Sequence, residues 1–123
     1  MDVIGKCKVL RVYVDEELKW KGKLLYKAIV DRLLAEKVTA GATVFKCVEG
    51  FGSSSHLHTS RIIEVMEELP MIIEIVDKPN RALKALNIIE EMLPNHCLVT
   101  VHETQVLHYH KADGKHTKTK KWK

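Results

Sequence analysis

Cysteine is scarce in this chain. Cys7, Cys47 and Cys97 are odd in number and far apart, which argues against a disulfide framework. Each lies in a run of strand formers and reads as a small buried hydrophobe in a reducing compartment. Long apolar runs are also missing: no stretch approaches the ~20 residues that cross a bilayer. The N-terminus lacks the apolar core of a signal peptide. The expectation is a cytoplasmic protein with no membrane insertion. Arginine is limited to Arg11, Arg32, Arg61 and Arg81, so few guanidinium groups are on hand for bidentate phosphate capture. No Ser/His/Asp, Cys/His or paired-carboxylate arrangement stands out, and no enzymatic activity is expected.

Net charge is nearly absent from the body of the chain. The formal net charge is +4, yet Lys111 to Lys123 holds six lysines against one acid, leaving about −1 for the preceding 110 residues. The basicity belongs to a tail, and specific nucleic-acid recognition is not expected. The 123 residues thus divide into one domain over 1–110, large enough for a single core, and a basic tail over 111–123. The tail is expected to be disordered.

What is present centres on Gly41-Ala42-Thr43-Val44-Phe45-Lys46-Cys47-Val48-Glu49-Gly50-Phe51-Gly52. Strand formers fill the space between glycines, with Thr43, Phe45 and Cys47 alternating against Val44, Lys46 and Val48. Gly50-Phe51-Gly52 ends the strand and opens a small polar loop over 53–60. Such a loop can offer backbone amides to an anion, although most Gly-x-Gly pairs only turn a corner.

Around this stretch the chain alternates in period. Lys6 to Val14 reads as a strand with Leu10, Val12 and Val14 on its apolar side, and Asp15 to Gly22 as a polar connection. Lys23 to Lys37 carries Leu25, Ala28, Ile29 and Leu33 at helical spacing. Ile62, Val65, Met66 and Leu69 suit a short helix or a strand, closed by Pro70. Met71 to Val76 is a nearly continuous apolar run, as in an interior strand. Asp77-Lys78-Pro79 starts a helix marked by Ala82, Ala85, Leu86, Ile89 and Leu93, and Cys97 to Tyr109 reads as one last strand. The order strand, helix, strand, strand, helix, strand is the ferredoxin-like split βαβ: an α+β fold with an antiparallel sheet and two helices on one face. Apolar residues on both sides of several strands leave a second face for another subunit to cover.

Gly41-Ala42-Thr43-Val44 followed by Gly50-Phe51-Gly52 resembles the second-strand motif of the P-II signal-transduction proteins, and Ile73-Glu74-Ile75-Val76 resembles their third strand. The closer similarity is to the little-characterised P-II-like family, whose pattern includes a histidine-bearing loop and a leucine-proline step, here His56/His58 and Leu69-Pro70. The resemblance spans Val9 to about His108. It implies a homotrimer with an adenine nucleotide (AMP, ADP or ATP) in clefts between subunits and a loop presented to a partner protein. It also implies a site in which Gly41 and Thr43 lie by the adenine, and Glu74 and Val76 beside the base. Gly50, Phe51 and Gly52 would lie near the phosphates. His96, within Pro94-Asn95-His96-Cys97, stands where the family's lysine-bearing phosphate loop is expected. That substitution favours a mono- or diphosphate over a triphosphate. No cofactor beyond such a nucleotide is implied.

His58 and Arg61 are further candidates for a phosphate contact across the cleft, on the chemistry of imidazole and guanidinium. His56-x-His58 and His108-x-His110 place paired imidazoles on one side of an extended segment, which leaves a metal-binding trimer as an alternative. A phosphate-processing enzyme of the acylphosphatase type is the other alternative. There, Asp15-Glu16-Glu17-Leu18-Lys19-Trp20 occupies the expected phosphate loop and would repel the anion.

Overall fold

Alternating polar and apolar residues build the sheet that carries the molecule. The computed structural model describes residues 2–50, 69–95, 97–110 and 116–118. Strands β1 (Gly5–Asp15), β4 (Thr43–Lys46), β5 (Pro70–Asp77) and β6 (Leu98–Val106) form one sheet in the order β4-β5-β1-β6. Every neighbouring pair is antiparallel. Helices α1 (Leu25–Ala35) and α2 (Pro79–Met92) complete the ferredoxin-like split βαβ. Leu10, Val12 and Val14 of β1 and Met71, Ile73 and Ile75 of β5 supply the sheet side of the core. They pack with Leu25, Ala28, Ile29 and Leu33 of α1 and Ala85, Ile89 and Met92 of α2. Burying each large aliphatic side chain contributes about 1.5–3 kcal/mol.

The ladder register defines the opposite face. Directly opposed residues share a side, so Phe45, Ile72, Tyr13 and Leu98 form one row across all four strands. Thr43, Glu74, Arg11 and Thr100 form the next, followed by Val76, Val9 and His102. Neither helix lies on this side. Phe45 and Leu98 are 47% and 57% exposed there.

Three segments differ from the expected pattern. The connection after β1 is a hairpin, β2 (Lys19–Trp20) with β3 (Lys23–Leu24). Lys21 at φ 49° and Gly22 at φ 85° give its two central residues the left-handed backbone of a type I′ turn. Trp20 packs against the core edge, with the Lys21 ammonium 4.7 Å from its ring centre. The final strand is broken at Leu107: β6 ends at Val106, and β7 (His108–His110) leaves the sheet. It pairs instead with β8 (His116–Lys118). Part of the expected disordered tail is therefore a strand. The Asp113-Gly114 dipeptide in the intervening sequence is a hairpin signal that charge counting passes over. The stretch 62–68 and loop 53–60 lie outside the described residues.

Helix α1 ends in a Schellman arrangement. Val38 N donates to Leu33 O at 3.2 Å and Lys37 N to Leu34 O at 3.1 Å. Lys37 holds φ 51°, a left-handed conformation unfavourable to a side chain. Lys37→Gly is expected to stabilise the fold by about 1 kcal/mol, a rise of roughly 3–6 °C in Tm. Thermal unfolding followed by circular dichroism checks it, and an unchanged or lower Tm would contradict it.

Candidate functional site

A cleft of 340 Å³ opens where the start of β4 meets β5. Ala40, Gly41, Ala42 and Thr43 line one side, Glu74 and Val76 another, and Val3, Val106 and Tyr109 the remainder. Thr43, Glu74 and Val76 all belong to the helix-free face by register, so the cleft lies on that face. Tyr109 of β7 contributes to its wall.

Four residues singled out from sequence, Gly41, Thr43, Glu74 and Val76, thus come together at one cleft. Thr43 stands directly opposite Glu74 in the ladder. Glu74 accepts a hydrogen bond from Arg11 Nε at 2.9 Å. That bond pushes the Arg11 guanidinium up from its ordinary value, favouring a cationic state it would hold in any case. The Arg11–Glu74 pair therefore lies at the edge of a cleft otherwise lined by small and apolar groups.

Gly50 lies elsewhere. A side-chain carbon added there would meet Pro70 Cγ at 3.7 Å, and Pro70 opens β5 four residues before Glu74, roughly 13 Å along an extended strand. Within a single chain, Gly50 therefore does not share the cleft with Thr43 and Glu74. β4 runs antiparallel to β5, so a chain leaving β4 is carried away from Glu74. Phe51, Gly52, His58, Arg61 and His96 lie outside the described residues.

The other three arginines are held in ion pairs. Arg11 binds Glu74, Arg32 binds Glu36 and Glu91, and Arg81 binds Asp77. Sequence reasoning takes Asp77 only as a helix start, but it anchors the segment that lines one side of the cleft. Its fully buried carboxylate accepts from Ala40 N at 2.8 Å, Lys78 N at 2.8 Å and Arg81 Nε at 2.7 Å. One side chain thereby pins the cleft-lining 40–43 segment to the start of α2. Arg81 also donates to Asp2 O at 2.6 Å, and Lys78 Nζ donates to Ile4 O. Sequence reasoning likewise misses Tyr109, Val106 and Val3 as lining residues. An aromatic residue flanked by histidines beyond the last sheet strand is the available signal for Tyr109.

The cysteines are free thiols. Cys7 is buried and donates to Val3 O at 3.1 Å. Burial pushes the Cys7 thiol up, as it does that of half-buried Cys97, where nearby Asp15 adds to the effect. Among the described residues, no three His, Cys, Asp or Glu side chains converge as a metal site. None of the described helices is long and apolar enough to cross a membrane.

The profile of the DUF190 family, described as "Uncharacterized ACR, COG1993", matches residues 7–106. That span covers the sheet from Cys7 of β1 onward, both helices and the cleft apart from Val3 and Tyr109. The chain belongs to the DUF190 family. The DUF190 chain is 29% identical over 106 residues to a UPF0166 protein of Aquifex aeolicus, across 85% of this chain and 97% of the relative. It is 32% identical over 101 residues to UPF0166 protein MJ1524 of Methanocaldococcus jannaschii, across 82% and 92%. Among solved structures it is similar to a Thermus thermophilus protein named for PII-like signalling. The two share a TM-score of 0.51 at 20% identity, covering 86% of this chain and 91% of that one. The DUF190 fold is P-II-like, as the sequence resemblance implies.

Proposed function

We propose that this DUF190 chain is a non-enzymatic, P-II-like regulatory protein. It works as a homotrimer that binds an adenine nucleotide in clefts between subunits and presents loop 53–60 to a partner protein. The observation that carries this reading is the split of the candidate site. Gly41, Thr43, Glu74 and Val76 form one half at the cleft, while Gly50 stands near Pro70 at the far end of β4. A neighbouring copy that brings its Gly50 segment to this cleft completes the site. Thr43 and Glu74 then meet the purine edge, and backbone amides beside Gly50 and Gly52 meet the phosphates. The helix-free face, with Phe45 and Leu98 exposed, supports burial against other copies. The Thermus protein's name supports the signalling class.

The phosphate-enzyme alternative is disfavoured by the connection after β1. A phosphate cradle needs free backbone amides, but Glu16 N donates to Leu69 O and Leu18 N to Asp15 O. The Glu16 carboxylate occupies the nearby Lys46 ammonium in an ion pair at 3.4 Å, so that cation is not left for a phosphate.

Titration calorimetry with AMP, ADP and ATP tests the ligand. AMP or ADP is expected to bind at least as tightly as ATP, because no described arginine is left outside an ion pair to meet a third phosphate. Gly50→Val is expected to abolish binding while leaving assembly unchanged. The first added carbon finds ordinary contact distance to Pro70, whereas the branched side chain crowds the approach of a phosphate. No heat with any of the three nucleotides, or binding unaffected by Gly50→Val, would overturn the assignment.

A further inference from the structure

The last strand of the main sheet ends at Val106, and the family match ends there too. Tyr109 lies beyond both. It sits on β7, whose ladder partner is β8 and not the main sheet. Successive residues of a strand face opposite ways. His108 and His110 are exposed while Tyr109 is half-buried, so the tyrosine is on the side of β7 turned toward the cleft it lines. Among the described residues lining that cleft there is no lysine or arginine. Val3, Val76 and Val106 offer apolar contact, and the Ala40-Gly41-Ala42 segment is narrow. A side-chain carbon added at Gly41 would meet nothing within 4 Å, so space is open beside it.

We propose that Tyr109 is a binding residue of this cleft, stacking its ring on the flat base of the ligand. An uncharged aromatic ring gains from apolar walls and from offset contact with a second ring. A phosphate would find no cation among the same walls to pair with. The cleft therefore holds the base, and the phosphates lie outside it. Thr43 and Glu74, the polar members of the lining, are left to meet the edge of the base while Tyr109 meets its face. This role rests on the nucleotide reading given above and adds a residue that the family match does not contain. A chain that stopped at Val106 would lack the contact.

The test is titration of the full chain with AMP, set beside ribose 5-phosphate, which lacks the base. Tyr109→Ala is expected to weaken AMP binding about 5- to 150-fold, the range for losing one aromatic stack on a base. Tyr109→Phe should bind AMP as the natural chain does. Tyr109→Leu restores bulk without a π face and should bind as weakly as the alanine variant. In Tyr109→Trp, AMP should quench indole fluorescence beyond any change in the natural chain, and ribose 5-phosphate should not. That signature does not depend on the alanine variant folding, and a role in packing alone would not give it. Unchanged AMP affinity in Tyr109→Ala, full recovery in Tyr109→Leu, or bound AMP without quenching would overturn the role of Tyr109 and leave the nucleotide reading standing. A natural chain that binds no adenine nucleotide would overturn both.

Discussion

Replacing Asp77 with alanine is expected to destabilise the folded chain by about 3–5 kcal/mol, the range for breaking a buried, hydrogen-bonded charge pair. The Asp77 carboxylate is fully buried and serves three donors: Ala40 N, Lys78 N and Arg81 Nε. Its removal strands the guanidinium of a largely covered Arg81. It also leaves the Ala40 amide without its acceptor, a loss of about 1–3 kcal/mol for a buried group. Asp77→Asn keeps the shape and an acceptor oxygen but loses the charge, and should fall between alanine and the natural residue. Urea unfolding measures both. A loss under about 1 kcal/mol for alanine would show that solvent or a neighbouring group replaces the carboxylate. The same variant should weaken whatever the cleft binds, since Ala40 is part of its lining.

Phe45→Glu is expected to convert the proposed trimer to monomers while leaving the subunit folded. In the single chain Phe45 is 47% exposed and contributes to the row Phe45, Ile72, Tyr13 and Leu98 on the helix-free face. A carboxylate there is solvated in the monomer but would have to be desolvated in an interface built on that row. Sedimentation velocity with circular dichroism separates the two effects. An assembly unchanged by the substitution would place the subunit contact elsewhere, and loss of the folded signal would show that Phe45 serves the subunit itself.

Much of the fold is legible because its periods are clean. Leu10, Val12 and Val14 at period two, and Leu25, Ala28, Ile29 and Leu33 at helical spacing, mark the core that the structure buries. The run from Met71 to Val76 sits where an interior strand belongs, between β4 and β1. The β2–β3 hairpin is hidden because its strands have two residues each and its turn uses Lys21 where asparagine or glycine is the usual signal. The break at Leu107 is hidden because alternation continues through it, and only pairing partners distinguish β6 from β7.

The candidate site is half legible. Thr43 and Glu74 are far apart in sequence, and the family resemblance alone suggests that they meet. The ladder places them opposite each other. The weight of Asp77 cannot be read from sequence because its partners Ala40 and Arg81 are defined by the tertiary fold. Tyr109 reads as the end of a sheet strand, although the chain has already left the sheet there.

Native mass spectrometry of the full chain titrated with AMP tests the central claim most directly, because it reads assembly and ligand together. The account predicts a three-chain species that takes up as many as three nucleotides, with no nucleotide on any single chain. A folded monomer at micromolar concentration, a trimer that stays empty, or a single chain that carries the nucleotide alone would contradict a site shared between subunits.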